Sequence, residues 1–151
     1  MNNKPEVSFY QITVSPLERV LPKILEKVYE DLEHRCFILC EDETQLAELN
    51  DSLWAIGGRN FLPHDTTKCK DPDKQPILLG TEINNINNSD VLIVLKDYFE
   101  ESNEFKKVFD IFHGLKGNDL EMARERYKKY RDMGCQLKFW KQDAEGKWTQ
   151  G

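Results

Sequence analysis

Glycine is scarce where a phosphate-binding chain needs it. The 151 residues include eight glycines. None of them builds a GxxxxGK[ST] loop, and no GxGxxG follows the first apolar segment. The connection there is Val14-Ser15-Pro16, with nothing to let a phosphate approach the backbone amides. Nucleotide binding by the usual route is therefore not expected. The four cysteines, Cys36, Cys40, Cys69 and Cys135, form no CxxC, and no Cys/His pair has zinc-finger spacing. Buried reduced thiols are expected, and no metal or other cofactor. No apolar run approaches the ~20 residues that cross a bilayer. The opening Met1-Asn2-Asn3-Lys4-Pro5 lacks the apolar core of a signal peptide, so a cytoplasmic protein is expected. Of the three histidines, His34, His64 and His113, only His64 is followed by a carboxylate (Asp65) that could orient its ring. No nucleophile or second base stands near it. No hydrolase elbow is present either, and no catalytic residue is assigned.

What is present is a charged chain of ordinary globular composition, 39% hydrophobic and 32% charged. Its length suits one domain, 1–151, with one sizeable core. The net charge of -6 would repel nucleic acid at long range. That charge is uneven. Between Lys116 and Lys141 eight Lys/Arg face four Asp/Glu, a net +4, which leaves 13 against 23 elsewhere, a net -10. The C-terminal part is suited to an acidic partner although the body is not.

Along the chain, Val7–Thr13 alternates and predicts a first strand. Ser15-Pro16-Leu17-Glu18 has the form of a capping box with proline at the first helical position. Apolar residues then recur at helical spacing from Val20 to Leu32. Pro22 conflicts with this, and either kinks the helix or marks its start near Leu21. Cys36–Cys40, Pro76–Gly80 and Val91–Leu95 are continuous apolar runs of strand length, fit for burial on both faces. Glu43–Ile56 predicts a helix with Leu46, Leu49, Leu53 and Trp54 on its apolar side and Gly57-Gly58 as its stop. Asp42 and Glu43 complement that helix's dipole better than they resemble catalytic carboxylates. Asn60–His64 is a short strand or extended loop, 65–75 a surface loop, and 84–88 a turn. For 105–112, strand and helix are equally compatible. Gln136–Trp140 alternates as a last strand, with Lys147–Thr149 able to pair back. Helices alternating with all-apolar strands predict an α/β fold: a mostly parallel sheet flanked by helices, of Rossmann or P-loop-like topology without a nucleotide site.

The most informative stretch is Ala123–Arg131, with Asn118 or Asp119 as start and Gly134 as stop. On a helical wheel Tyr127, Arg131, Arg124 and Lys128 share about 100° of arc at one edge of the apolar face. A cationic stripe beside a tyrosine ring suits an acidic ligand with an apolar foot. The same pattern also fits an ordinary solvated helix face.

Several pieces together resemble the chi subunit of bacterial DNA polymerase III holoenzyme: Phe9-Tyr10, Cys40-Glu41-Asp42-Glu43, Leu53-Trp54-Ala55, Phe61-Leu62-Pro63-His64, and Ala123–Arg131 followed by Gly134. They span nearly the whole chain, in the family's order. The resemblance implies a noncatalytic accessory subunit of the clamp-loader complex, with a nucleotide-binding-like sheet and no nucleotide site. It implies two partners, the psi subunit and the acidic C-terminal tail of single-stranded-DNA-binding protein. Tail binding would fall to Arg124, Tyr127, Lys128 and Arg131. The psi-facing surface, which a repair helicase can also use, would fall to Trp54, Phe61 and Pro63. Three features depart from the family pattern. Leu120 stands where relatives can carry a further basic residue. His113 stands where an apolar residue can line the tail pocket. The 65–75 loop has no counterpart.

Two other functions remain compatible with the residues alone. One is a degenerate nucleotide-binding-fold enzyme, which the missing phosphate loop opposes. The other is a direct single-stranded-DNA binder using Arg124–Arg131 on phosphates and Tyr127 or Trp140 for stacking, which the net charge opposes.

Overall fold

A computed structural model of the chain describes residues 4–31, 34–56, 64–100, 104–115 and 117–150. Eight strands form one sheet: β1 Glu6–Ile12, β2 Cys36–Leu39, β3 His64–Thr66, β4 Ile77–Gly80, β5 Val91–Val94, β6 Lys107–His113, β7 Gln136–Gln142 and β8 Trp148–Gln150. Their spatial order is β3-β4-β2-β5-β6-β1-β7-β8. Every pairing is parallel except that of β7 with β8. Three α-helices accompany it among the described residues: α1 Leu17–Glu26, α2 Glu43–Ile56 and α3 Asp119–Met133.

The continuous apolar runs are explained by burial on both faces. Cys36 and Ile38 of β2, Ile77 and Leu79 of β4, and Val91 and Ile93 of β5 pack with α1 and α2. Their alternates Phe37, Leu39, Leu78, Leu92 and Val94 pack with Ala123 and Tyr130 of α3 on the other face. The stretch 105–112, undecided by pattern, is strand from Lys107 onward: β6 lies between β1 and β5. Its Phe109 and Ile111 face the α1 side, while Val108 and Phe112 face the α3 side. A strand buried on both faces carries no periodicity that would separate it from a buried helix.

Local chemistry sets most element ends. Asp42 caps α2: the Gln45 amide donates to Asp42 Oδ1 at 2.8 Å, and Gln45 Oε1 accepts from the Glu41 amide. Asp42 thus caps α2, and Glu43 stands in its first turn. Helix α3 ends on Gly134, left-handed at φ 88°, where the Gly134 amide donates to the Arg131 carbonyl and the Cys135 amide to that of Tyr130.

At α1 one expectation fails and one open alternative is excluded. The Ser15 side chain does not cap the helix; its Oγ instead accepts from Gln142 Nε2 at 2.8 Å. The helix also runs through Pro22 rather than starting near it, from Leu17 to Glu26. Burial of Leu17, Val20, Leu21, Ile24 and Leu25 outweighs the one backbone bond that proline removes. The segment then loosens into a π-helical turn, Lys27–Asp31. The 65–75 segment is not all loop, since β3 reaches Thr66 and a short 3₁₀ turn spans Pro72–Lys74.

All four cysteines are free thiols. Burial pushes Cys40 up to about 12 and raises Cys36 still further, so both are inert at neutral pH.

Candidate functional site

Helix α3 leans on the sheet through an aromatic platform. In register, Phe9 of β1 lies beside Asp110 of β6 and Phe139 of β7. The Phe9 ring stacks on Phe139 at 6.1 Å and meets Tyr127 at 5.5 Å and Tyr130 at 6.1 Å. Tyr130 is buried, whereas Tyr127, three residues earlier, is half-buried and stands at the rim. Beside it, between α3 and β7, opens a groove of about 700 Å³ lined by Met122, Arg124, Tyr127, Lys128, Arg131 and Phe139, with Asn118, Glu121 and Glu125 completing the wall. The structure brings the four residues of the cationic stripe to one groove, with Phe139 and Met122 as its apolar side.

The cations differ in their surroundings. Lys128 Nζ lies 3.4 Å from Glu125, and Arg131 lies 3.5 Å from Asp132. Arg124 makes no ion pair among the described residues. Neither residue singled out as a departure reaches the groove. Leu120 packs against the core beneath α3. His113, at the end of β6, lines a different cavity.

The strongest electrostatic feature was not legible in the sequence. Arg126 is 4% exposed and faces inward from the middle of α3. Its Nε and Nη2 donate to the two carboxylate oxygens of buried Asp110 at 2.7 and 3.0 Å, and its Nη1 donates to Asp97 at 2.6 Å. Burial pushes the Asp110 carboxyl up to about 6 against the pull of the Arg126 guanidinium. On a helical wheel Arg126 falls within the arc of Ala123, Tyr130 and Met133 and interrupts it. That interruption, with an aspartate inside the apolar run of β6, was the available signal.

A second unanticipated residue is Gln142, 3% exposed at the end of β7. Its Oε1 accepts from three successive amides, Thr13, Val14 and Ser15, at 3.2, 3.0 and 3.1 Å. Its Nε2 donates to Ser15 Oγ and to the Gly146 carbonyl. Those three amides form the first strand-to-helix turn, where folds of this type place a phosphate. Here a neutral side-chain oxygen occupies them. Gln142→Ala would orphan the cluster, and a loss of about 2–3 kcal/mol is expected. Urea denaturation measures it. A loss under ~0.5 kcal/mol would show that water replaces the amide without cost.

At the other edge of the sheet, Trp54 is 51% exposed, and its ring lies 4.7 Å from that of buried His64. His64 is held at Nε2 by the Asn50 carbonyl, 3.3 Å away. Phe61 and Pro63 lie outside the described residues. Among those described, no group of three His, Cys, Asp or Glu is placed to hold a metal. Among the described residues, no helix is long and apolar enough to cross a membrane.

Fold and groove together define an α/β protein of doubly wound type, with a cation-lined cleft on one helix rather than a phosphate loop at the sheet. Residues 5–138 match the family model of the DNA polymerase III chi subunit, HolC. The chain is 32% identical to the DNA polymerase III subunit chi of Escherichia coli (strain K12) over 105 residues, 68% of this chain and 71% of that protein. It is 28% identical to the same subunit of Pseudomonas aeruginosa over 137 residues, 87% and 92% of the two chains. A probable subunit chi of Rickettsia prowazekii matches at 30% over 90 residues, and there the match spans 54% of the relative. The chain belongs to the DNA polymerase III chi subunit family.

Proposed function

We propose that this chain is an accessory subunit of DNA polymerase III that links the clamp loader, through the psi subunit, to the acidic C-terminal tail of single-stranded-DNA-binding protein. The supporting observation is the groove: Arg124, Lys128 and Arg131 stand around an apolar side made by Tyr127, Met122 and Phe139. Such a site takes a peptide that ends in an apolar residue and a free carboxylate. The guanidinium meets the carboxylate, the rings receive the side chain, and the outer cations attract upstream acids. The chain has no catalytic residues of its own in this role, and it acts in the cytoplasm as a single domain. The test is a competition: a labelled tail peptide bound to the full chain should be displaced by unlabelled tail and not by an oligonucleotide of equal charge. Displacement by the oligonucleotide alone would instead favour a single-stranded-DNA binder.

For psi, or a repair helicase using the same surface, the contact is the edge around Trp54 with Phe61 and Pro63. Half-exposed, Trp54 is available as an interface anchor. Trp54→Ala is expected to cost about 1 kcal/mol of stability, its ring contact with His64 being one of those lost. It should weaken psi binding by roughly 2 kcal/mol or more, measured by calorimetry on the purified pair. A stability loss exceeding the binding loss would make Trp54 a packing residue.

A further inference from the structure

The sheet has a second concavity, of about 890 Å³, at the carboxyl ends of its central strands. Its position follows from topology. The chain leaves β1 through α1 on one face of the sheet and leaves neighbouring β6 through α3 on the other. Connections that diverge from adjacent strands open a crevice between them, the usual ligand position in open α/β folds. In this protein the crevice lacks the equipment for an anion. The amides of Thr13, Val14 and Ser15 are spent on Gln142. The Arg126 guanidinium is spent on Asp110 and Asp97. Lys96 Nζ is turned to the Thr81 carbonyl, 2.9 Å away.

The remaining charge is acidic. Glu18, Glu41 and Glu48 are exposed at the wall, Asp119 is half-exposed, and none of the four has a basic partner among the described residues. Two of the chain's exposed large apolar side chains belong to the same lining. They are Val14, 53% exposed, after β1, and Leu115, 76% exposed, after β6. Clustered unpaired carboxylates repel one another, and bare Val and Leu at a cavity mouth gain from being covered.

We infer that this crevice docks a segment of a partner protein that presents Lys or Arg beside an aliphatic residue. Charge complementarity selects the cation, and Val14 with Leu115 selects a peptide over a small hydrophilic polyamine. The surface is separate from the groove on α3, since Met122 is the one residue common to both linings. Its fate is therefore independent of tail binding.

The test titrates the ¹⁵N-labelled full chain with a short amidated Lys/Leu peptide. Amide shifts are expected to concentrate at 13–17, 95–97 and 111–115. Leu115→Ser, and separately the triple variant Glu18→Gln, Glu41→Gln, Glu48→Gln, should each weaken binding about tenfold. A remote pair, Asp71→Asn with Asp73→Asn, should leave it unchanged. Those substitutions are at exposed or rim positions, and the labelled spectrum itself reports that the fold is intact. Shifts scattered over the acidic surface, an equal loss in the remote pair, or spermine binding as tightly as the peptide would each overturn the assignment.

Discussion

Arg126→Ala is expected to destabilise the fold by about 3–5 kcal/mol. Removing the guanidinium leaves Asp110 fully buried and Asp97 without its partner. The cost comes from the orphaned carboxylate rather than from the lost attraction, so it depends on pH. Burial already raises the Asp110 carboxyl to about 6 with Arg126 opposing; without that opposition it rises further. An acid whose folded pKa exceeds its unfolded value, near 4, binds its proton more tightly when folded. Stability therefore increases as pH falls through that window. The variant should be worst near pH 8 and recover part of its loss near pH 5. Urea unfolding at both pH values measures this. A second variant, Arg126→Met with Asp110→Leu, replaces the pair by apolar groups and should recover most of the loss. If the double change were as damaging as Arg126→Ala, orphaned charge would not be the cause.

The same pair shows where sequence reasoning stopped. The core strands were legible because both faces of the sheet are covered: a run such as Cys36–Leu39 can be apolar throughout only if helices lie on either side. Helix α3 was legible because Gly134 and the strong helix formers agree on its span. The joint position of Arg124, Tyr127, Lys128 and Arg131 followed from a period of 3.6 residues, which needs no tertiary information. What failed depended on contacts distant in sequence. Arg126 and Asp110 are 16 residues apart, and Gln142 reaches Ser15 across 127. Ser15 and Glu18 have capping-box spacing, yet the hydroxyl is taken by a glutamine on a strand that no local pattern brings near. Pro22 left two readings open for the opposite reason: local pattern cannot tell that a buried helix face absorbs a penalty of about 3 kcal/mol.

Arg124→Ala is expected to weaken binding of the acidic tail by about 2–3 kcal/mol, roughly 30- to 150-fold. Three cations line the groove, and their surroundings rank them. Lys128 and Arg131 each have a carboxylate within 4 Å, from Glu125 and Asp132 respectively. Both would exchange one solvated partner for another on binding, and such exposed pairs are worth about 0–1 kcal/mol. Arg124 gives up no ion pair among the described residues. A planar guanidinium can also meet a terminal carboxylate through two parallel hydrogen bonds, which a lysine cannot. Tyr127, packed on Phe9 and Phe139, would provide a fixed wall for the peptide's last apolar side chain. Anisotropy of a labelled tail peptide separates the roles. Arg124→Ala should lose most of the affinity at any salt concentration, because a bound tail would cover the anchoring pair. Lys128→Ala should lose little, and that little should vanish as ionic strength rises and screens long-range steering. Arg124→Lys keeps the charge but not the fork and should fall between them. Equal losses in Arg124→Ala and Lys128→Ala would mean that the groove acts as a diffuse basic patch. Undiminished binding in Arg124→Ala would remove the carboxylate anchor from this helix altogether.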